Sequence, residues 1–126
     1  MTEGKKVKSG TLGIVRKIKH AFVQRAKQIQ LLVDDIRNCP HPTVLCLDLN
    51  DTPLSYSYRK IAKLMNDSYL NSGKGIPNTY IGTFLHFRID YIFHSDELKS
   101  HNFKTIKRKL SDHYPIRCDI ALKEDK

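Results

Sequence analysis

Three polar clusters, each framed by apolar residues of strand type, constrain this chain more than any other feature. They are Leu47-Asp48-Leu49-Asn50-Asp51, Arg88-Ile89-Asp90-Tyr91-Ile92-Phe93 and Ser111-Asp112-His113-Tyr114-Pro115. Each sets a carboxylate at or near the end of a sheet strand, and the third sets a histidine directly beside one. The folding problem is therefore to find strands whose ends carry these groups.

Residues 1–13 hold Gly4, Gly10 and Gly13 among lysines and are expected to form a basic, flexible lead-in to a domain over 14–126. From about Ile14 a helix is predicted, because Phe22, Ala26, Ile29, Val33 and Ile36 recur at three- and four-residue steps. It should end near Asn38, since Pro40 and Pro42 cannot continue it. Residues 43–47 read as a strand buried on both faces. In extended chain, Asp48 and Asn50 would then leave the same face. Thr52 suits an N-cap and Pro53 a first helical turn, for a helix striped by Leu54, Tyr58, Ile61, Ala62 and Met65. Residues 71–78, with Gly73, Gly75 and Pro77, read as a loop, and 79–84 as a short strand. Residues 88–94 read as a strand ending in a turn at Ser95-Asp96, and 103–109 as another. In 115–122, Ile116, Cys118 and Ile120 alternate with Arg117 and Asp119, the pattern of a half-buried strand. Helix, strand, helix and then several strands make an α+β order.

A length of 126 residues and a hydrophobic share of 40% support one domain with a real core. No apolar run approaches a membrane span, and the polar stretch 2–9 does not read as a secretory signal. Cys39, Cys46 and Cys118 are odd in number and lack metal-type spacing, which fits reduced, buried thiols in a cytoplasmic protein. The net charge of +9 suits a polyanionic partner or simply a solvated surface. Lys5, Lys6, Lys8, Arg16, Lys17, Lys19, Arg25 and Lys27 crowd the first quarter, and Lys104, Lys107, Arg108 and Lys109 form a second run. His20, His41, His86, His94 and His101 share no zinc-like spacing.

Each cluster has a bland and a chemical reading. Asp48 and Asn50 either orient water and hold a phosphoryl oxygen, or serve as turn and capping residues. Asp112 and His113 either ligate a divalent cation and contact a phosphoryl group, or form a polar loop before Pro115. Asp90, inside an apolar strand, needs a partner. Arg88 on the same face would serve, as would a histidine across the sheet whose tautomer the carboxylate would fix. Carboxylates and an imidazole converging from separate strand ends are what metal-assisted hydrolysis of a phosphate ester requires.

In this order the clusters resemble the endonuclease/exonuclease/phosphatase superfamily, whose fold is the deoxyribonuclease I-like sandwich. Val44-Leu45-Cys46-Leu47-Asp48-Leu49-Asn50-Asp51-Thr52-Pro53 is similar to the family's strand ending in G-D-x-N-x-x-P, with Leu47 in place of the glycine. Phe87-Arg88-Ile89-Asp90-Tyr91-Ile92-Phe93 resembles its R-[IL]-D-Y-[IV] strand, and Ser111-Asp112-His113-Tyr114-Pro115 its terminal S-D-H-x-P. Residues 73–80 resemble the loop before a Thr-Tyr pair in bacterial members.

The resemblance implies that Asp48 positions or deprotonates the attacking water and that Asn50 stabilises phosphoryl oxygens. It implies that Asp112 orients His113 or helps hold Mg²⁺ or Mn²⁺, that His113 binds the scissile phosphate, and that Asp90 supports it. It covers only the family's C-terminal half. The upstream asparagine, metal-binding glutamate and further histidine have no counterpart, since Glu3, His20 and Asn38 lie in the basic loop and the helix. The expectation is the C-terminal half of a four-layer α/β sandwich, with one mostly antiparallel sheet and helices on one face. Such a metal-dependent phosphoester hydrolase would be truncated and inactive alone, seeking its N-terminal half or another copy. The alternative is a non-catalytic basic module that binds nucleic acid or a partner subunit.

Overall fold

The computed structural model describes residues 3–51, 53–81 and 87–125, with side chains from residue 10 onward. The first helix, α1, spans Glu3–Asn38. Pro40 follows shortly and lacks the amide hydrogen that another turn would need. The lead-in expected to be flexible is therefore helical from Glu3. Its glycines each cost a helix roughly 1 kcal/mol, too little to end one. The other elements are β1 (Val44–Asp48), α2 (Tyr56–Ala62), β2 (Asn66–Asp67), α3 (Ser68–Ser72), β3 (Asp90–His94), β4 (Leu98–Thr105) and β5 (Ile116–Leu122).

All strand pairings among the described residues are antiparallel. They fall into a three-stranded sheet ordered β1-β3-β2 and a two-stranded sheet of β4 and β5. Leu45 and Leu47 of β1 register with Phe93 and Tyr91 of β3, so their side chains share one face. That face carries the core. Ile29 and Val33 of α1, Tyr58 and Ile61 of α2, and Leu49, Met65, Tyr91 and Phe93 form one buried cluster. Each such side chain contributes roughly 1.5–3 kcal/mol by leaving water. The mixed helix and antiparallel-sheet architecture is the one expected.

Several local expectations differ. β1 is not buried on both faces: Val44, Cys46 and Asp48 lie exposed on the side away from the helices. Cys39 and Cys46 are consequently exposed thiols, and Cys118 is half-buried. Thr52 lies outside the described residues, and Ser55 caps α2, its hydroxyl accepting from the Tyr58 amide at 3.1 Å. Leu54, expected in that helix's apolar stripe, is 86% exposed. Of the strand expected over 79–84, Tyr80 forms an isolated bridge to His113, and residues 82–86 lie outside the described residues. The strand expected over 103–109 is displaced toward the N-terminus, because Leu98 and Phe103 find burial in β4 whereas residues 106–110 are exposed.

The largest correction concerns Arg88. Its guanidinium does not meet Asp90. Arg88 Nη1 donates to both oxygens of Asp67, at 2.9 and 2.7 Å, and the two side chains are 5% and 2% exposed. The rings of Tyr69 and Tyr91 lie 4.8 and 4.9 Å from the guanidinium carbon. Asp67 also accepts from the Tyr58 hydroxyl at 2.6 Å and caps α3 through the Tyr69 amide at 3.1 Å. Burial, then the bond to Asp67, pushes the Tyr58 hydroxyl up to about 12. Because β3 begins only at Asp90, Arg88 is free to turn toward Asp67 and leaves Asp90 to another partner.

Candidate active site

The β1–β3 register sets Asp48 directly opposite Asp90 at one end of the sheet. The segment carrying His113 is brought to the same end by backbone bonds. The Tyr114 amide donates to the Thr79 carbonyl at 2.7 Å, and the Ile81 amide to the Asp112 carbonyl at 2.9 Å. Thr79 is fully buried, and its hydroxyl accepts from the amides of Ile89 and Asp90 at 3.0 and 3.2 Å. Thr79 thus ties the His113 segment to the start of β3. The Ser111 hydroxyl holds the turn itself, accepting from the His113 amide at 3.0 Å.

Given that frame, His113 Nδ1 lies 2.8 Å from Asp90 Oδ2. Of the two partners open to Asp90 in the sequence, the structure selects the histidine. The Asp90 hydrogen bond raises the His113 pKa above its ordinary value; desolvation opposes it, and the charges of Asp90, Asp48 and Asp112 add to it. The same bond fixes which ring nitrogen faces outward. That nitrogen, Nε2, stands 3.9 Å from Asp48 Oδ2, too far for a direct hydrogen bond. The Tyr80 ring meets the imidazole edge-on at 5.8 Å.

Asp48 and Asn50 do not leave one face of an extended strand, as expected. β1 ends at Asp48, whose Oδ1 accepts from the Asn50 amide at 2.7 Å, and Asn50 takes a left-handed φ of 49°. Asparagine tolerates that conformation better than most side chains. Both residues are exposed, so the tight turn leaves both side chains at the surface, with that of Asp48 beside His113.

Asp48, Asp90 and His113 offer ligand atoms within 4.8 Å of one another, the group among the described residues able to hold a metal by proximity. Their hydrogen bonding leaves the carboxylates, rather than the imidazole, to meet a cation. Nδ1 of His113 is committed to Asp90, and a protonated imidazole has no free lone pair. Mg²⁺ asks for near-octahedral coordination, mostly by oxygen. An anion placed against Nε2 fits the same geometry better. Asp112, expected as a metal ligand, is exposed and stands outside this group, acting on His113 through its charge.

Asp48, Asp90 and His113 therefore gather at one sheet end, and Asn50 follows in the turn just after Asp48. Sequence reasoning missed Thr79 and Asp67. Thr79 had a faint signal in the Thr-Tyr pair, whereas nothing local marked Asp67 as the partner of Arg88.

Comparison with known proteins follows the same outline. No curated protein matches the chain. Several solved structures share its fold, three of them as follows. One is a functionally unknown conserved protein from Enterococcus faecalis, with 18% identity and a TM-score of 0.69, covering 79% of this chain and 44% of its own. An endonuclease/exonuclease/phosphatase from Bacteroides vulgatus has 24% identity and a TM-score of 0.65, with the same 79% and 44% coverage. A mannosyl-6-phosphatase from Bacteroides thetaiotaomicron has 23% identity and a TM-score of 0.53, covering 81% of this chain and 44% of its own. The chain thus spans less than half the length of each. The sequence model of the Endonuclease/Exonuclease/phosphatase family matches residues 17–113. With that match over most of its length, the chain belongs to the endonuclease/exonuclease/phosphatase family.

Proposed function

We propose that this chain supplies the phosphate-binding and water-orienting part of a metal-dependent phosphoester hydrolase, of nuclease or phosphatase type. The observation that carries the reading is the 2.8 Å bond that His113 Nδ1 makes to Asp90 Oδ2, beside the exposed carboxylate of Asp48. In this reading Nε2–H of protonated His113 donates to a non-bridging oxygen of the scissile phosphate, and Asp90 keeps the ring charged and oriented. Asp48 Oδ2 takes a proton from the water that attacks phosphorus. The Asn50 amide donates to a phosphoryl oxygen as charge grows there. The bond from phosphorus to the ester oxygen breaks, and that oxygen leaves with a proton from solvent.

Mg²⁺ or Mn²⁺ is the expected cofactor, a Lewis acid for the phosphoryl group. Asp48, Asp90 and His113 do not complete its coordination, so further oxygen ligands, Asp112 among them, belong to the proposal. The isolated chain is then expected to show negligible Mg²⁺-dependent turnover.

Two measurements test this. Titrating inorganic phosphate against the chain should shift the His113 ring resonances saturably, where chloride at equal ionic strength does not. A His113 signal indifferent to phosphate overturns the reading. Substantial hydrolysis of a phosphodiester by the isolated chain, abolished by Asp48→Ala or His113→Ala, overturns the claim that the site is incomplete.

A further inference from the structure

We infer that the first half of α1 is a docking arm for an acidic, amphipathic helix of a partner protein, a binding function separate from the phosphoester reading above. Arg25 Nη1 lies 3.6 Å from Asp51 Oδ2, which places the middle of α1 beside the loop that follows Asp48. Cys39, just past the end of α1, meets Thr43 just before β1, so α1 and β1 run in opposite directions. Residues before Arg25 therefore run past the body of the protein, and every one from Gly10 to Arg25 is exposed. At 1.5 Å per residue, Leu12 stands about 20 Å beyond Arg25.

This projecting arm carries an apolar stripe. Ile14, Val15, Ile18 and Phe22 recur at three- and four-residue steps and are each 55–63% exposed. They continue the helical line of Ile29 and Val33, which are buried in the core. One stripe is thus covered on the body and bare on the arm. A helix turns about 100° per residue, so Lys17 and Lys19 flank Ile18 on its two sides. From Gly4 to Val33 the sequence holds eight lysines and arginines and no acidic residue. The arm therefore has no acid–base pair across a turn to support it, and Gly10 and Gly13 weaken it further. A helix built this way is stabilised chiefly by whatever packs on its stripe.

The charge and the geometry select the cover. A second copy would bring two cationic arms together with no carboxylate between them. A flat anionic bilayer reaching the stripe would collide with the body, which lies on the same side of the helix. Nucleic acid would meet the cations and leave the stripe in water. The second sheet of a sandwich belongs on the other side of β1, where Val44, Cys46 and Asp48 are exposed. An acidic amphipathic helix lays apolar stripe on apolar stripe and sets carboxylates beside Lys17 and Lys19. At about 10 Å across, it is narrow enough to lie beneath the arm.

The test is fluorescence anisotropy of the full chain with three labelled 18-residue peptides. The first is an amphipathic helix of leucine, alanine and glutamate, the second scrambles its order, and the third replaces glutamate by lysine. The first should bind at least tenfold more tightly than either of the others. Val15→Ser with Ile18→Ser should weaken that binding at least tenfold. Leu54→Ser with Leu70→Ser, at exposed apolar positions of the body, should change it little. Lys17→Glu with Lys19→Glu should weaken it at least fivefold and should confer binding of the lysine peptide. Equal binding of the patterned and scrambled peptides, or equal losses in the arm and body variants, would overturn the inference. Tighter binding of anionic phospholipid vesicles or of a 12-nucleotide oligothymidylate than of the patterned peptide would do the same. A dimer seen by light scattering, returned to the monomer by Val15→Ser with Ile18→Ser, would assign the stripe to a second copy and refute it too.

Discussion

Asp67→Ala should be the most damaging single change in the described fold. Its carboxylate accepts both bonds from Arg88 Nη1, the Tyr58 hydroxyl bond and the capping bond from the Tyr69 amide. Truncation would strand a guanidinium that is 5% exposed among three tyrosine rings. Breaking one side of a buried ion pair costs about 3–5 kcal/mol, and losing an N-cap about 1 more. The expected loss of about 4–6 kcal/mol is a large part of the 5–15 kcal/mol typical of a domain. Urea denaturation followed by circular dichroism measures it, the midpoint falling by at least about 1.3 M for ordinary m-values. Asp67→Leu combined with Arg88→Met should recover most of the loss, because neither partner then leaves a bare charge. A loss under about 1 kcal/mol for Asp67→Ala, or a double variant no more stable than the single, would refute the reasoning.

Two further substitutions probe how the site is held. Thr79→Val removes the acceptor for the Ile89 and Asp90 amides, and should cost about 1–3 kcal/mol in urea melts while loosening His113, seen as faster amide exchange at Asp90. Gly73→Ala would press a methyl group into the Tyr69 ring and carbonyl at the end of α3, and should cost about 1–3 kcal/mol, read as a lower melting temperature.

What the sequence made legible follows from the range of the interactions involved. The α1 stripe from Ala26 to Ile36, its stop at the prolines, and the alternation of β5 are local patterns, and each lies where the residues indicate, whereas Phe22, expected in that stripe, is exposed. Asp48, Asn50, Asp90 and His113 were legible as site candidates because they sit in short ordered motifs. Their relation was not. Whether Asp90 met Arg88 or a histidine depended on Asp67, 21 residues from Arg88, and no local pattern encodes that pairing. The strand predicted for 103–109 failed for a similar reason, since burial of Leu98 and Phe103 outweighed the β-forming character of the exposed segment after them. The exposed side of β1 was read as buried because apolar composition does not say which faces of a strand are covered.

The pairing of Asp90 with His113 is the centre of the account, and its pH dependence follows from the direction of the shift. A histidine pKa raised on folding adds stability that is complete below the ordinary value of 6.5 and is lost as pH rises through the raised, folded value. The most direct test follows the His113 ring protons by NMR from acid to alkaline pH, in the parent chain and in Asp90→Asn. His113 should titrate above 6.5 in the parent, lower in Asp90→Asn, and higher in the parent when inorganic phosphate is added. Identical titration in both chains, unmoved by phosphate, would contradict it.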